Sequence, residues 1–362
     1  MRWRVSIRFL RLGMLVTLIL GGWLPVGGFA QTNTPFTVVA TGLVNPRGFA
    51  FDDEGGLVVA MAGASGPTAG VALIDDAGCL TTIANELPSY RVVFGGPVGV
   101  ADVAVRDGER YFLLAGGNID DGGMVNGLYR IEEGGESTLI ADVSTFIRDN
   151  PVAERPGDYD TDGQPYAMLA MDDAFWVTEG NSNQLLRLGL DGSVSRIADL
   201  SAGHPIPTGI APAPNGGVYV AFFTAAPYRE GAARVVEVAA DGTVTEVWSG
   251  LTLVTALALG PDGSLYALEM ATGIDPDDPA SVVTGSGRVV RQTGPDSAEA
   301  IVTGLSLPVA MEFGADGGLF FAFPAFGADS GEGAIVRVDL AAGAAVAAPS
   351  ELETSAQPTV CS

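Results

Sequence analysis

Short apolar strands separated by Asp, Asn and Gly turns recur six times along the chain. The clearest unit is such a turn followed by a strand of large apolar residues, and it occupies residues 53–59, 107–113, 172–177, 215–220, 262–267 and 316–321. A strand with small side chains precedes each unit and a third strand follows it, with no sustained helical periodicity. Sets of four short strands repeating at roughly 40–65 residues are typical of β-propeller blades. We therefore predict an all-β fold, a six-bladed β-propeller with four-stranded antiparallel blades.

One strand is displaced relative to this repeat. Residues 36–43 resemble the fourth strands at 244–251 and 298–305, yet no blade precedes them, and the sixth blade lacks a fourth strand of its own. We predict that residues 36–43 pair with the third strand of the last blade and close the ring. Closure of this kind removes the open sheet edges that favour aggregation.

The first thirty residues have the pattern of a signal peptide. A basic start with four Arg precedes an apolar stretch at 12–24 and a small-residue cleavage site at 28–30. An uncleaved membrane anchor is the alternative, although the apolar stretch is short for a span. We predict a propeller domain at 31–343 and a poorly ordered tail, rich in Ala, Pro and Ser, at 344–362. The protein is then secreted, periplasmic or extracellular, with no membrane contact after cleavage.

Charge narrows the class of partner. The chain has 43 acidic and 18 basic residues, a net charge of −25. The predicted signal peptide contains four of the basic residues and no acidic one, so its removal makes the net charge more negative. Such a surface repels phosphate backbones and anionic lipids, which argues against nucleic-acid and membrane partners. We expect a monomer that binds a small molecule, a glycan or a protein.

The chain has two cysteines, Cys79 and Cys361. Export permits a disulfide, and this one would attach the tail to the first blade. Two free thiols, or a bridge between molecules, are the alternatives.

Strand parity places all the long connections on one face of the propeller. In an antiparallel four-stranded blade, the connections from strand 2 to strand 3 and from strand 4 to the next strand 1 emerge on the same side. The long segments here are all of these two kinds: 60–70, 85–99, 114–126, 143–165, 222–233 and 269–286. Long loops on a rigid scaffold commonly carry binding residues. We call this side the long-loop face and the opposite side the short-turn face.

Three alternating aspartates, Asp158, Asp160 and Asp162, precede Gly163 in one of these loops. Alternating carboxylates followed by glycine allow a loop to wrap a hard cation, so we predict a site for Ca²⁺ or another divalent cation. An EF-hand is excluded because its twelfth position would be Leu169. The alternative is a solvated acidic loop.

A second group of polar residues is predicted at the mouth of the axial channel, where inner strands begin and second strands end. These substrate-binding candidates are Asn45, Arg47, Asp102, Glu179, Asn181, Asn183 and Glu269, together with the single histidine, His204, in a nearby connection. Converging acids and amides would bind one divalent ion and polarise a carbonyl or activate water. The alternative is a ring of hydrogen-bonded polar groups filling the tunnel. The sequence has no serine-nucleophile motif, phosphate-binding loop or zinc spacing, and we assign no catalytic residue.

Several segments together resemble the ScyD/ScyE-type secreted propellers. They include Asn45-Pro46-Arg47-Gly48-Phe49 and its surroundings, with further matches at 149–151, 164–169, 231–235 and 257–266. The resemblance covers essentially all of residues 36–340 and implies an exported six-bladed propeller of the broader NHL-like and SMP-30-like kind. It implies no settled activity. The alternating aspartates depart from the family pattern, so a calcium site would be a feature of this chain and not a trait of the family.

Two functions follow from these observations. We favour a binding or scaffold protein acting through the long-loop face, with an aromatic groove around Phe222, Phe223 and Tyr228. The alternative is a divalent-metal-dependent hydrolase or lyase of the gluconolactonase or streptogramin-lyase kind, which rests on analogy of fold. The enzyme requires several of the channel-mouth acids and amides to converge on one ion.

Overall fold

A computed structural model describes residues 36–75, 78–92, 96–120, 122–275, 277–278, 281–340 and 345–348. The predicted signal peptide, most of the predicted tail and Cys361 lie outside these residues. Cys79 is not a free thiol, and its pairing with Cys361 stays a prediction.

The described chain forms six sheets, each built on a blade of four antiparallel strands as predicted for a six-bladed propeller, and two of the sheets have a short fifth strand. After β1 (Phe36–Leu43), the first blade contains β2 (Pro46–Phe51), β3 (Leu57–Met61), β4 (Gly66–Ile74) and β5 (Leu80–Arg91), with the short β6 (Pro97–Val98) beside β5. The second contains β7 (Val100–Arg106), β8 (Glu109–Leu114), β9 (Gly127–Ile131) and β10 (Ser137–Asp142), and ends at helix α1 (Val143–Asp149).

The remaining blades repeat the pattern. The third contains β11 (Pro165–Ala170), β12 (Ala174–Glu179), β13 (Gln184–Gly189) and β14 (Val194–Asp199). The fourth contains β15 (Pro207–Pro212), β16 (Val218–Phe222), β17 (Ala233–Val238) and β18 (Val244–Leu251). The fifth contains β19 (Val254–Leu259), β20 (Leu265–Glu269), β21 (Gly287–Gly294) and β22 (Ser297–Leu305). The sixth contains β23 (Ala310–Phe313), β24 (Leu319–Phe323) and β25 (Gly333–Val338), and β26 (Val346–Ala347) pairs in parallel with β22.

The first strand closes the ring, as the displaced repeat predicts. β1 pairs antiparallel with β25, from Phe36 opposite Val338 to Leu43 opposite Gly333. The ring of Phe36 packs edge-on against Phe321, with centroids 6.2 Å apart. The last blade therefore contains strands from both ends of the domain, and β1 covers the edge of β25 that would otherwise be unpaired.

Core residues lie mainly between neighbouring blades. Val58 and Val71 of the first blade pack with Phe112 and Leu114 of the second, and all four are fully buried. The inner strands need small residues because they converge on the axis. A side chain added at Gly48 would place its Cβ only 1.7 Å from Oδ1 of Asp102 on the next inner strand.

The structure differs from the sequence-based expectation at three points. Residues 143–149 form α1, whose N-cap Asp142 accepts a 2.8 Å hydrogen bond from the Thr145 amide. β4 and β5 extend well into the segments predicted as loops at 60–70 and 85–99. Residues 346–347 of the predicted tail form β26. Among the described residues, no helix has the length and apolar character to cross a membrane.

Candidate functional site

The polar candidates predicted at the channel mouth do reach the long-loop face, but most of them hold loops in place. Asn45 is fully buried in the left-handed region (φ 48°) at the seam between the sixth and first blades. Its amide nitrogen donates to the Gly63 carbonyl (2.9 Å) and to Asp329 Oδ1 (2.8 Å). Its oxygen accepts from the Ala328 amide at 2.9 Å. These bonds use the hydrogen-bonding capacity of the Asn45 side chain.

Glu179 has the same role in the third blade. Its fully buried carboxylate accepts hydrogen bonds from the backbone amides of Gln164 (2.6 Å), Ser182 (2.7 Å) and Asn181 (3.1 Å), and from the Ser182 hydroxyl. Burial raises the pKa of Glu179, while the hydrogen bonds oppose that shift. The carboxylate joins two segments of backbone, at Gln164 and at Asn181–Ser182, and faces no open space.

Glu269 is likewise fully buried, at the end of β20. It accepts a 2.6 Å hydrogen bond from the Thr252 amide and forms an ion pair with Arg288. This carboxylate therefore joins the start of one inner strand to the third strand of the same blade.

A chain of polar contacts links Asn181, Asn183 and His204. Asn181 accepts from the Asp160 amide (2.6 Å) and donates to the Asp158 carbonyl (2.9 Å). Asn183 contacts His204 Nδ1 at 2.8 Å and accepts from the Ile206 amide at 2.7 Å. The second ring nitrogen, His204 Nε2, lies 3.2 Å from Asp158 Oδ1. These residues fix the loop that carries the alternating aspartates.

The three aspartates themselves point to different partners. Asp162 is buried and forms a 2.6 Å ion pair with Arg148 of α1. Asp160 accepts a 2.9 Å hydrogen bond from the Asp162 amide, and the exposed Asp158 lies beside His204. Within the described ranges, no three Asp, Glu, His or Cys side chains are grouped so as to hold a metal ion. In this arrangement the carboxylates do not share one coordination centre, and a divalent cation would need them to rearrange.

Arg47 and Asp102 lie in the axial channel, a cavity of about 380 Å³ lined by the inner strands. Arg47 donates to the Pro97 carbonyl (2.6 Å) and to the Ala325 carbonyl, so its guanidinium bridges the first and last blades at the long-loop end. Asp102 accepts from the amides of Met168 (2.7 Å) and Val103 (2.9 Å). Burial raises the pKa of Asp102 to about 7.

Sequence reasoning missed a second acid in this channel, Glu312 of β23. Enclosure by the surrounding inner strands raises the pKa of Glu312 to about 7, and its charge helps to raise the pKa of Asp102. The Glu312 side chain nevertheless has a large exposed surface within the channel. A signal was present, because Glu312 is the one charged residue in an otherwise apolar inner strand.

An apolar patch lies on the long-loop side of the fourth, fifth and sixth blades. Its half-buried members are Phe223, Tyr228, Ile274, Val282 and Phe326, which pack on one shared core cluster. Phe223 and Tyr228 meet edge-to-face with centroids 5.7 Å apart. The inclusion of Phe222 in the predicted groove is wrong, because that ring is buried beneath Arg234. We call these five residues the apolar patch.

The raised pKa values of Asp102 and Glu312 predict how the stability of the protein depends on pH. Between about pH 5 and pH 7, Asp102 and Glu312 bind more protons in the folded protein than in the unfolded chain, because folding raises their pKa values from 3.8 and 4.5 to about 7. Stability therefore falls as pH rises through this window. We expect a higher Tm at pH 5 than at pH 8, measured by differential scanning calorimetry at constant ionic strength.

Glu312→Gln should reduce that difference, because glutamine does not ionise. The matched control is Glu54→Gln, which removes a charge from an exposed turn and should leave the difference unchanged. Equal pH dependence in the wild type and Glu312→Gln would contradict the assignment.

Comparison with known proteins gives the fold and no closer relationship. No protein-family model and no curated protein matches the sequence. Among solved structures, the calcium-binding protein regucalcin from Agrobacterium tumefaciens aligns with a TM-score of 0.57 and 14% identity, covering 85% of this chain and 95% of that one. A gluconolactonase from Xanthomonas campestris aligns at 0.55 and 14%, covering 84% and 89%. A streptogramin B lyase aligns at 0.51 and 14%, covering 84% and 97%. The chain thus shares a propeller-like fold with these structures, and its own six blades are those described above.

Proposed function

We propose that this protein is an exported binding protein of the ScyD/ScyE type that takes its ligand on the long-loop face. The observation that carries the proposal is the use of Asn45, Glu179, Asn183 and Glu269 to fasten the loops of that face. Loops held by buried hydrogen bonds form a preorganised surface, and preorganisation reduces the entropy lost on binding. The same bonds leave these side chains little capacity for acid–base or metal chemistry.

The two halves of the face indicate the class of ligand. The apolar patch occupies the loops of the fourth to sixth blades. On the other side, Tyr90, Gln164 and Asp160 form a hydrogen-bonded polar group between the first and third blades. Aromatic rings pack against the apolar faces of sugars and aryl groups, while amides and carboxylates bind hydroxyls. The surface therefore suits a neutral molecule with one apolar face and several hydroxyls, such as a glycan or an aryl glycoside.

A test uses thermal shift and isothermal titration of the secreted, monomeric protein with methyl glycosides and phenyl glycosides. We expect phenyl glycosides to raise the Tm and to bind about tenfold more weakly to Tyr228→Ala, since loss of one ring contact costs about 1–2 kcal/mol. The matched control is Tyr219→Ala, which removes a half-buried tyrosine from the opposite end of β16. Equal weakening in both variants, or no binding by the wild type, would overturn the proposal.

The second candidate function is a divalent-metal-dependent hydrolase or lyase. It is supported by the pairing of His204 with Asp158 on the long-loop face and by the fold shared with the calcium-binding, gluconolactonase and streptogramin-lyase structures. An acid beside an imidazole has the composition of a general-base pair. Hydrolysis of gluconolactone in the presence of Ca²⁺, abolished by EDTA and by His204→Gln, would favour this function over the first.

A further inference from the structure

The axial channel opens on the short-turn face, opposite the loops discussed so far. Each inner strand begins at the long-loop end, where Thr208, Thr255 and Val309 are buried. Near the other ends of the inner strands, Ala170, Pro212 and Glu312 are exposed. The two bonds from Arg47 to carbonyls of different blades lie at the buried end. The cavity therefore has Arg47 towards its long-loop end and a mouth among the short turns, near the exposed Glu312.

Four titratable or charged side chains line this pocket, and they differ in how many hydrogen-bond partners each one has. Arg47 bonds two carbonyls, and Tyr166 stands near both Arg47 and Asp102. Asp102 is held by two backbone amides. Glu312 has no hydrogen-bond or ion-pair partner among the described residues, and it lies nearest the mouth. The rest of the lining is mostly apolar, with Ala50, Val105, Leu169 and Met311 among it.

We propose that the channel binds a small alkylammonium ion, whose charged head pairs with Glu312 and Asp102 and whose hydrocarbon part contacts the apolar lining. The carboxylate of Glu312 supplies the charge that such a head requires, and it is close enough to act electrostatically on Asp102. The strongly acidic surface raises the local concentration of cations at the mouth.

The lining favours an organic cation over an inorganic divalent one. Ca²⁺ takes six to eight oxygen ligands, and Mg²⁺ takes six. The pocket offers two carboxylates, and Asp102 already accepts hydrogen bonds on both oxygens. An alkylammonium head needs only two or three acceptors, and alanine, valine and methionine walls suit its hydrocarbon chain. The lining of this channel contains none of the residues that carry the proposed function, so the site is independent of that function.

The experiment is isothermal titration of the secreted protein with n-butylammonium chloride and 1,4-diaminobutane at pH 8. We expect saturable binding of at least one of them, weakened tenfold or more by Glu312→Gln. Glu54→Gln, on an exposed turn of the same face, should bind within twofold of the wild type. Because binding requires an ionised acid with a pKa of about 7, affinity should be about tenfold weaker at pH 6 than at pH 8.

Three other results would overturn the proposal. The first is no binding of either amine by wild type. The second is binding that Glu54→Gln weakens as much as Glu312→Gln, which would indicate attraction to the general surface charge. The third is Ca²⁺ or K⁺ binding that Glu312→Gln abolishes while the amines fail to compete, which would assign the pocket to an inorganic cation. Asp102→Asn provides a second variant if Glu312→Gln folds poorly.

Discussion

Deletion of residues 36–43 is expected to open the ring and lower the Tm of the chain that starts at residue 31 by about 10 °C or more. β1 supplies the outer strand of the sixth blade, with its backbone paired to β25 and the side chains of Phe36, Ala40 and Leu43 buried. Truncation of a buried leucine or phenylalanine alone costs about 2–5 kcal/mol, and the deletion also exposes the edge of β25. For a domain of this size, 1 kcal/mol corresponds to roughly 2–4 °C in Tm. Calorimetry of the intact and truncated chains measures the difference.

Point variants keep this prediction testable if the truncated chain fails to fold. Leu43→Ala removes a side chain with no exposed surface and should cost about 2–5 kcal/mol. Thr37→Ala changes the exposed position next to Phe36 on the same strand and should alter stability by less than about 0.5 kcal/mol. If the truncated protein melted at the temperature of the intact one, closure by β1 would not stabilise the ring.

Much of the fold was predictable because each blade repeats the same local chemistry. Glycines with positive φ in the turns, such as Gly55 and Gly263, mark the connections between first and second strands. The apolar strands on either side fix their register through burial. The displaced strand at 36–43 was recognisable for the same reason, since it resembled fourth strands that did have a blade. Local pattern and global topology agree at these positions.

The differences arise where a short segment depends on its neighbours. Helix α1 has only seven residues, too few for a helical period to appear in the sequence. β5 continues past Ala84 because Leu87 and Ser89 find partners at Ala69 and Gly66 across two register shifts. Register shifts interrupt the alternation of buried and exposed residues, so the spacing of apolar residues in the sequence does not identify these pairing partners.

Strand parity predicted which polar residues reach the long-loop face but not what they do there. The position of Glu179 follows from the end of β12. The hydrogen bonds that Glu179 accepts from the amides of Gln164, Asn181 and Ser182 depend on how two loops fold around its carboxylate. A carboxylate that binds backbone and one that faces a ligand have the same sequence signature. Glu312 shows the reverse case, a lone acid in an apolar strand that faces open space.

Glu179→Ala is expected to destabilise the protein by about 3–5 kcal/mol, or to prevent folding. The substitution leaves three backbone amides in the protein interior without their acceptor, and each unsatisfied group costs about 1–3 kcal/mol. Glu179→Gln keeps the size of the side chain and one acceptor oxygen, so its cost should be smaller. Urea unfolding at pH 7 measures both variants. Glu133→Ala, an exposed glutamate, is the matched control and should change stability by less than about 0.5 kcal/mol.

This experiment also separates a structural carboxylate from a metal ligand. If Glu179 acts by holding backbone amides, EDTA leaves the stability of the wild type unchanged, and added Ca²⁺ does not rescue Glu179→Ala. If it binds an ion instead, EDTA lowers the wild type to the stability of the variant, because a bound ligand stabilises only while it is present. Since the carboxylate already accepts four hydrogen bonds in a fully buried position, we expect the first result. Glu179 and Glu269 would then belong to the framework of the long-loop face, and the ligand would contact the loops they hold.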